Sequence, residues 1–162
     1  MRGILFPAAV LFATMKSESK LPLGPIAPAG TATVAATVTV PAGAIGPNGS
    51  LLTDFIVANN TAAGNKIPRI RYSGAAGTVI WGPTLSTSSG GAGSAFLCNG
   101  GTAAVQKGGG FNVAGTGVVG VATAYPAVDT TAATTLVYTL EKATATNHAI
   151  WESAVVRLVY GA

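Results

Sequence analysis

The sequence predicts an all-β fold, an antiparallel sandwich or barrel, on three observations. Apolar and β-branched residues alternate with period two in short runs. Clusters of Gly, Pro, Asn and Ser separate these runs at short intervals, where turns are needed. No stretch carries the 3.6-residue apolar period of an amphipathic helix. The chain has 162 residues, enough for one domain with a sizeable core. Charged residues are 9%, far below the roughly 25% of an average soluble domain, and 30 Ala, 22 Gly and 20 Thr take their place. Such a composition excludes an acidic or basic disordered tail and a helical bundle with a salt-laced surface.

The elements follow in order. Residues 1–30 read as an extended arm, because Pro7, Pro22, Pro25 and Pro28 disfavour both helix and central strand. The globular domain is expected over 31–162. Thr31 to Val40 alternates, with Ala36, Val38 and Val40 on one face and Thr37 and Thr39 on the other. Pro41 to Gly49 is turn chemistry throughout. Leu51 to Ala58 is a strand, and Asn59 to Asn65 its loop. Ile67 to Tyr72 sets Ile70 and Tyr72 on one face and Arg69 and Arg71 on the other, with Pro68 placing its start at a sheet edge. Thr78 to Trp81 is a strand, and the Ser/Gly-rich stretch 83–94 a loop. Ala95 to Cys98 and Thr102 to Gln106 flank Asn99-Gly100-Gly101, a hairpin signal. Phe111 to Val121 reads as one glycine-broken strand, and Pro126 to Thr134 as a loop. Thr135 to Glu141 points Leu136, Tyr138 and Leu140 inward. Ile150 to Tyr160 is the longest strand, apolar on its even face and carrying Trp151, Val155 and Val159 on its odd face. A strand apolar on both faces is covered on both faces.

Groups for catalysis are sparse. Cys98, the one cysteine, sits in the apolar run Ala95-Phe-Leu-Cys98 and reads as a small buried hydrophobe, so no intrachain disulfide forms. His148 lies in a polar loop with no nucleophile at a defined spacing. Gly115-Thr-Gly-Val-Val-Gly120 matches the dinucleotide fingerprint literally, but no amphipathic helix follows it, and Asp129 comes too early for the ribose-binding acid. Asp54 and Glu152 could face one another across strands, yet ion pairs with Arg71 or Arg157 are the expected use. No metal-ligand spacing occurs. These readings exclude no residue class outright, but they assign no catalytic residue, no cofactor and no metal; the expectation is a protein that is not an enzyme.

The net charge of +4 is spread thinly. Its densest stretch is Lys66, Arg69 and Arg71, short of a phosphate-binding footprint, so no nucleic-acid partner is expected. The apolar run Ile4 to Met15 is broken by Pro7 and too short to span a bilayer; Ala13-Thr-Met15 lacks the small residues of a cleavage site, and no membrane partner is expected. Left free, Ile4, Leu5, Phe6, Val10, Leu11 and Phe12 would expose a patch of large side chains, which marks them as an assembly arm. Its expected acceptor is a sheet edge or groove on a neighbouring subunit. Trp151, Val155 and Val159 are the expected oligomer interface. Trp81 and Tyr125 are the only candidates for the aromatic platform of a carbohydrate-binding module.

Three stretches together resemble a group of small tailed-bacteriophage virion proteins with a jelly-roll domain. They are Thr37-Val-Thr-Val-Pro-Ala-Gly-Ala-Ile-Gly-Pro-Asn-Gly-Ser-Leu51, then Asn60-Thr-Ala-Ala-Gly-Asn-Lys-Ile-Pro-Arg-Ile-Arg-Tyr-Ser-Gly74, then the C-terminal run from Val128-Asp-Thr-Thr through Leu136-Val-Tyr-Thr-Leu140 and Ala145-Thr-Asn-His-Ala149 to Tyr160. The resemblance covers about residues 31–162 and rests on the order and spacing of the three. It implies a jelly-roll β-sandwich, a homotrimer, and a structural role on the particle as capsid decoration, cement or head-fibre subunit. It implies as partners further copies of the chain and the major capsid or another virion protein, and as location the virion, assembled in the host cytoplasm. A tail-fibre or tail-associated part, or a carbohydrate-binding receptor module, is the alternative.

Overall fold

A computed structural model describes residues 13–16, 30–59, 63–85, 90–102, 105–114, 117–124, 128–144 and 146–161. It is all-β. Ten strands are described: β1 (Ala13–Lys16), β2 (Thr33–Val40), β3 (Ser50–Asn59), β4 (Lys66–Tyr72), β5 (Thr78–Trp81), β6 (Gly90–Asn99), β7 (Gln106–Ala114), β8 (Gly117–Ala124), β9 (Thr134–Lys142) and β10 (Ala149–Val159). No helix occurs among the described residues. The strands form two antiparallel sheets, of order β1-β10-β3-β6-β7-β8 and β2-β9-β4-β5. Their inner faces share one core, in a β-sandwich arrangement.

Alternation explains most of the core. Leu51, Phe55 and Val57 on β3, Ile70 and Tyr72 on β4, and Leu136, Tyr138 and Leu140 on β9 are all buried. At the centre Phe55 lies 4.3 Å from Trp81, while Trp151 packs edge-on at 5.5 Å from Phe55 and 5.2 Å from Tyr138. The Tyr138 hydroxyl is hydrogen-bonded to Thr53 Oγ1 at 2.8 Å, and Trp151 Nε1 donates to the Thr139 carbonyl at 3.3 Å, so two of the large polar-tipped rings are satisfied in the core.

Glycine accounts for the elements whose sequence reads as loop. β6 begins at Gly90, well before Ala95, and the run from Phe111 is two strands, β7 and β8, not one. One large ring from the opposite sheet, that of Trp81, needs room at Gly110. A Cβ at Gly110 would stand 2.5 Å from Trp81 Cδ1 and 2.5 Å from the Ser94 carbonyl oxygen. Glycine in these strands therefore lets the indole lie against the backbone of the larger sheet. The dinucleotide-like run falls on the β7–β8 connection and on β8, so a strand stands where that motif needs a helix.

Two further expectations shift. β4 is an inner strand between β9 and β5. Lys66 exchanges both backbone hydrogen bonds with Leu85, and Ile70 pairs with Trp81. By alternation the missing N–H of Pro68 points away from β9, into the interval between those two pairings, where no ladder bond is lost. The arm is not wholly separate from the domain either. Its segment β1 pairs with β10, Ala13 opposite Val156 and Lys16 opposite Ser153.

Three loops at one end of the sandwich are tied by buried amides. Asn99 Nδ2 donates to the Gly46 carbonyl at 2.5 Å and to Thr130 Oγ1 at 2.9 Å. Gln106 Nε2 donates to Asn99 Oδ1 at 3.3 Å, and its Oε1 accepts from the Val128 N–H at 3.1 Å. The hairpin expected at Asn99 thus also anchors the 41–49 and 128–131 turns. Ile45, inside a segment that reads as pure turn, is fully buried.

Candidate interaction face

The centre of the outer face of the larger sheet is built by β10, β3 and β6, with exposed Lys107 of β7 beyond them opposite Cys98. Val155 stands opposite Asp54, which stands opposite Ser94; Arg157, Leu52 and Phe96 form the next row, and Ser153, Ile56 and Ala92 the row on the other side. Leu52, Phe96 and Val155 are half-buried, and Ile56 and Val159 are 48% and 51% exposed. One polar cluster sits among them. Arg157 Nη2 pairs with Asp54 Oδ2, and Ser94 Oγ donates to Asp54 Oδ1 at 2.5 Å. The ion pair expected for Asp54 is therefore with Arg157. It leaves this face net neutral at its centre and apolar around it.

The outer face of the smaller sheet is different. Val137 and Thr139 on β9 face outward, yet they are 3% and 1% exposed. Arg71 and Arg69 of β4 stand opposite them, and Thr37 and Val34 of β2 flank them on the other side. Arginine stems cover apolar surface while their heads remain polar. Arg69 Nη1 pairs with Glu141 Oε2 at 2.5 Å, and Arg71 Nη1 donates to the Gly77 carbonyl at 2.9 Å. Lys66, the third member of the densest basic stretch, points into the sandwich with Lys142 opposite it, and burial pushes its ammonium pKa down. The three cations of that stretch therefore do not form one surface patch.

The residues expected at the oligomer interface separate. Val155 and Val159 lie on the outer face. Trp151 does not: it is 4% exposed, inside this chain's own aromatic core. A β-bulge between Trp151 and Ser153 inserts Glu152 as an extra residue, so Trp151 pairs with inward-facing Val57 while Ser153 pairs with outward-facing Ile56. Strict alternation would have put Trp151 and Val155 on one face. The outward Leu52, Ile56 and Phe96 were the residues that sequence reasoning missed. The odd-even pattern of β3 and β6 held the signal, since both strands are apolar on each side.

The remaining candidates fall as follows. Ile4, Leu5, Phe6, Val10, Leu11 and Phe12 lie outside the described residues, as does Tyr125. Trp81 is 1% exposed, so it is a core residue and not a platform for a sugar ring. Cys98 is half-buried on the outer face of β6, not in the core, because its inward neighbours are Leu97 and Asn99. His148 is half-buried and Glu152 exposed. Asp129 is exposed, and hydrogen bonds from the Thr131 hydroxyl and N–H hold its carboxyl below the usual range. It lines a cleft of about 360 Å³ with Ser73, Thr78 and Thr134. Among the described residues no group of three His, Cys, Asp or Glu side chains is placed to hold a metal ion.

The sequence matches no protein-family model and no curated protein.

Proposed function

We propose that this chain is a non-catalytic structural subunit with a jelly-roll domain, a capsid decoration, cement or head-fibre protein of a tailed bacteriophage, which associates as a homotrimer. The observation that carries self-association is the outer face of the larger sheet. It presents Leu52, Ile56, Phe96, Val155 and Val159 around a single neutralised ion pair. Contiguous apolar surface of this kind marks an interaction site. Depletion of charge is what distinguishes interface cores. A closed ring would cover the same face on every copy.

The strand order supports the jelly-roll reading. Antiparallel pairs nest around the chain: β1 with β10, β2 with β9, β3 with β6 and β4 with β5. Folding a long hairpin of nested pairs across two sheets generates the two interlocked Greek keys of a jelly roll. The β7–β8 hairpin is then an insertion that widens one sheet. The phage assignment rests on the resemblance carried by Thr37 to Leu51, Asn60 to Gly74 and Val128 to Tyr160, and the choice of three copies rests there too.

Sedimentation of the isolated protein tests the association. The expected mass is about three times the 15.9 kDa of the chain, and a stable monomer overturns it. Mass spectrometry of purified particles tests the location. A lattice-wide copy number supports a decoration protein, and a handful of copies supports a fibre or tail part instead.

A further inference from the structure

We propose that Asn48 is a site of spontaneous modification, at which the backbone nitrogen of Gly49 displaces the side-chain amide as ammonia, and that the fold protects Asn99 from the same reaction. Each of these asparagines precedes a glycine, and they form the two Asn-Gly pairs of the chain. The structure handles the pairs differently at both reacting groups. Asn99 is 7% exposed; its Nδ2 donates to the Gly46 carbonyl and to Thr130 Oγ1, and its Oδ1 accepts from Gln106. The N–H of Gly100, which would have to attack, donates to the Val105 carbonyl at 2.7 Å. Asn48 is exposed, so water reaches its amide. The Gly49 nitrogen stands 3.4 Å from its acceptor, the Gly46 carbonyl oxygen, longer than an ordinary N–H···O bond and easier to give up. The turn also requires glycine here, since a Cβ at Gly49 would stand 1.5 Å from the Ile45 carbonyl oxygen. The residue that leaves the attacking nitrogen unshielded is therefore one the fold cannot replace.

The reaction needs only water and hydroxide. Hydroxide takes the Gly49 N–H proton, the nitrogen forms a bond to Asn48 Cγ, and the bond from Cγ to Nδ2 breaks as ammonia leaves with a proton from water. Water then opens the succinimide ring at either carbonyl, giving aspartate or isoaspartate. In sum, one amide and one water become one carboxylate and one ammonium ion. Aspartate adds a negative charge to the turn, and isoaspartate also adds a methylene to the main chain. That lengthening falls between two backbone hydrogen bonds, from the Asn48 N–H to the Gly161 carbonyl at 3.3 Å and from the Asn99 N–H to the Gly49 carbonyl at 3.0 Å. A Cβ at Gly161 would stand 2.2 Å from the Asn48 carbonyl carbon, so the end of the chain lies directly against the peptide that lengthens. The isoaspartyl form loosens both bonds.

Peptide mapping tests the selectivity. The folded protein is held in mildly alkaline buffer made with isotope-labelled water and digested at low pH, and label at each asparagine is read by mass spectrometry. Conversion at Asn48 is expected to be at least about tenfold faster than at Asn99, because Asn99 reacts only when its loop cluster opens. Equal rates, a faster Asn99, or no conversion at Asn48 overturns the proposal. The denatured chain is expected to convert both at similar rates, and the same bias there overturns the structural cause. Asn48→Gln keeps an amide in the exposed turn but moves it out of easy reach of the Gly49 nitrogen. It should lose the label at this position, and label that persists overturns the attack by Gly49. In the isoaspartyl fraction, hydrogen exchange of the Asn99 N–H should quicken, and unchanged exchange overturns the loosening of this turn.

Discussion

The two sheets of this sandwich treat their outer faces in opposite ways. The four-stranded sheet covers the centre of its own face, leaving Val34 at its edge strand 45% exposed: Arg69 and Arg71 lie beside Val137 and Thr139, and Glu141 and the Gly77 carbonyl hold the guanidinium heads. The six-stranded sheet leaves Ile56 and Val159 about half exposed and has one ion pair, Arg157 with Asp54, amid apolar neighbours. The difference lies in which residues occupy the outward positions. Long charged side chains on β4 let one sheet face water without a partner. The apolar side chains Leu52, Ile56, Phe96, Val155 and Val159 on β3, β6 and β10 have no polar head to present to water, so covering this face takes a partner surface.

The largest expected effect tests the border between the inner and outer faces. Trp151→Ala removes a ring packed on Phe55 and Tyr138 and should cost about 3–5 kcal/mol of stability, read by thermal or denaturant unfolding. If Trp151 were instead an intersubunit residue, the substitution would lower association and leave monomer unfolding unchanged.

Next comes the alkaline limit of the self-contained sheet. Burial, with Asp129 adding to it, pushes the Tyr72 hydroxyl up to about 12, and burial raises Tyr138 against the opposing hydrogen bond from Thr53. Both groups keep their protons in the folded state while the unfolded chain loses them near pH 10. Stability is therefore fully present below pH 10 and falls as pH rises from there towards 12, by roughly 1 kcal/mol per pH unit for each tyrosine. Denaturant midpoints measured between pH 9 and pH 12 check this, and a flat profile contradicts it. Tyr72→Phe should reduce the slope.

Val159→Glu addresses the uncovered sheet. The side chain is half exposed in the subunit, so the fold should lose no more than about 0.5 kcal/mol. Association should weaken by at least tenfold, because a carboxylate is buried without a partner. Val155→Glu, opposite Asp54, should act more strongly on both. Sedimentation equilibrium reads the first effect, and unchanged association for both variants would show that this face is not the contact. The smallest effect is expected for Arg157→Ala, which removes a solvent-exposed pair and should change monomer stability by less than about 1 kcal/mol. Arg69→Ala should cost more than Arg157→Ala, because its stem also covers Thr139; equal values would remove the distinction between the two faces.

Much of this architecture is legible along the chain, because side-chain alternation is a property of each strand alone. Val38 and Val40, Ile70 and Tyr72, and Leu136, Tyr138 and Leu140 point inward as their spacing requires, and the Pro41–Gly49 and Asn99–Gly101 turns fall where turn residues cluster. The pairing of Asp54 with Arg157 was among the readings available from charge alone. What only the tertiary structure decided depends on partners distant in the chain. The bulge at Glu152 moves Trp151 into the core because the β3 partner of Trp151 is Val57. Gly110 lies in β7 where the Trp81 ring of the opposite sheet takes the space of a missing side chain, and Gly90 begins β6 where a Cβ would meet the Val57 carbonyl of the paired strand. Cys98 faces outward because Leu97 and Asn99 have places inside. A residue's periodicity states that it has two faces to choose between; the neighbour that fills the space on one of them settles which face it takes.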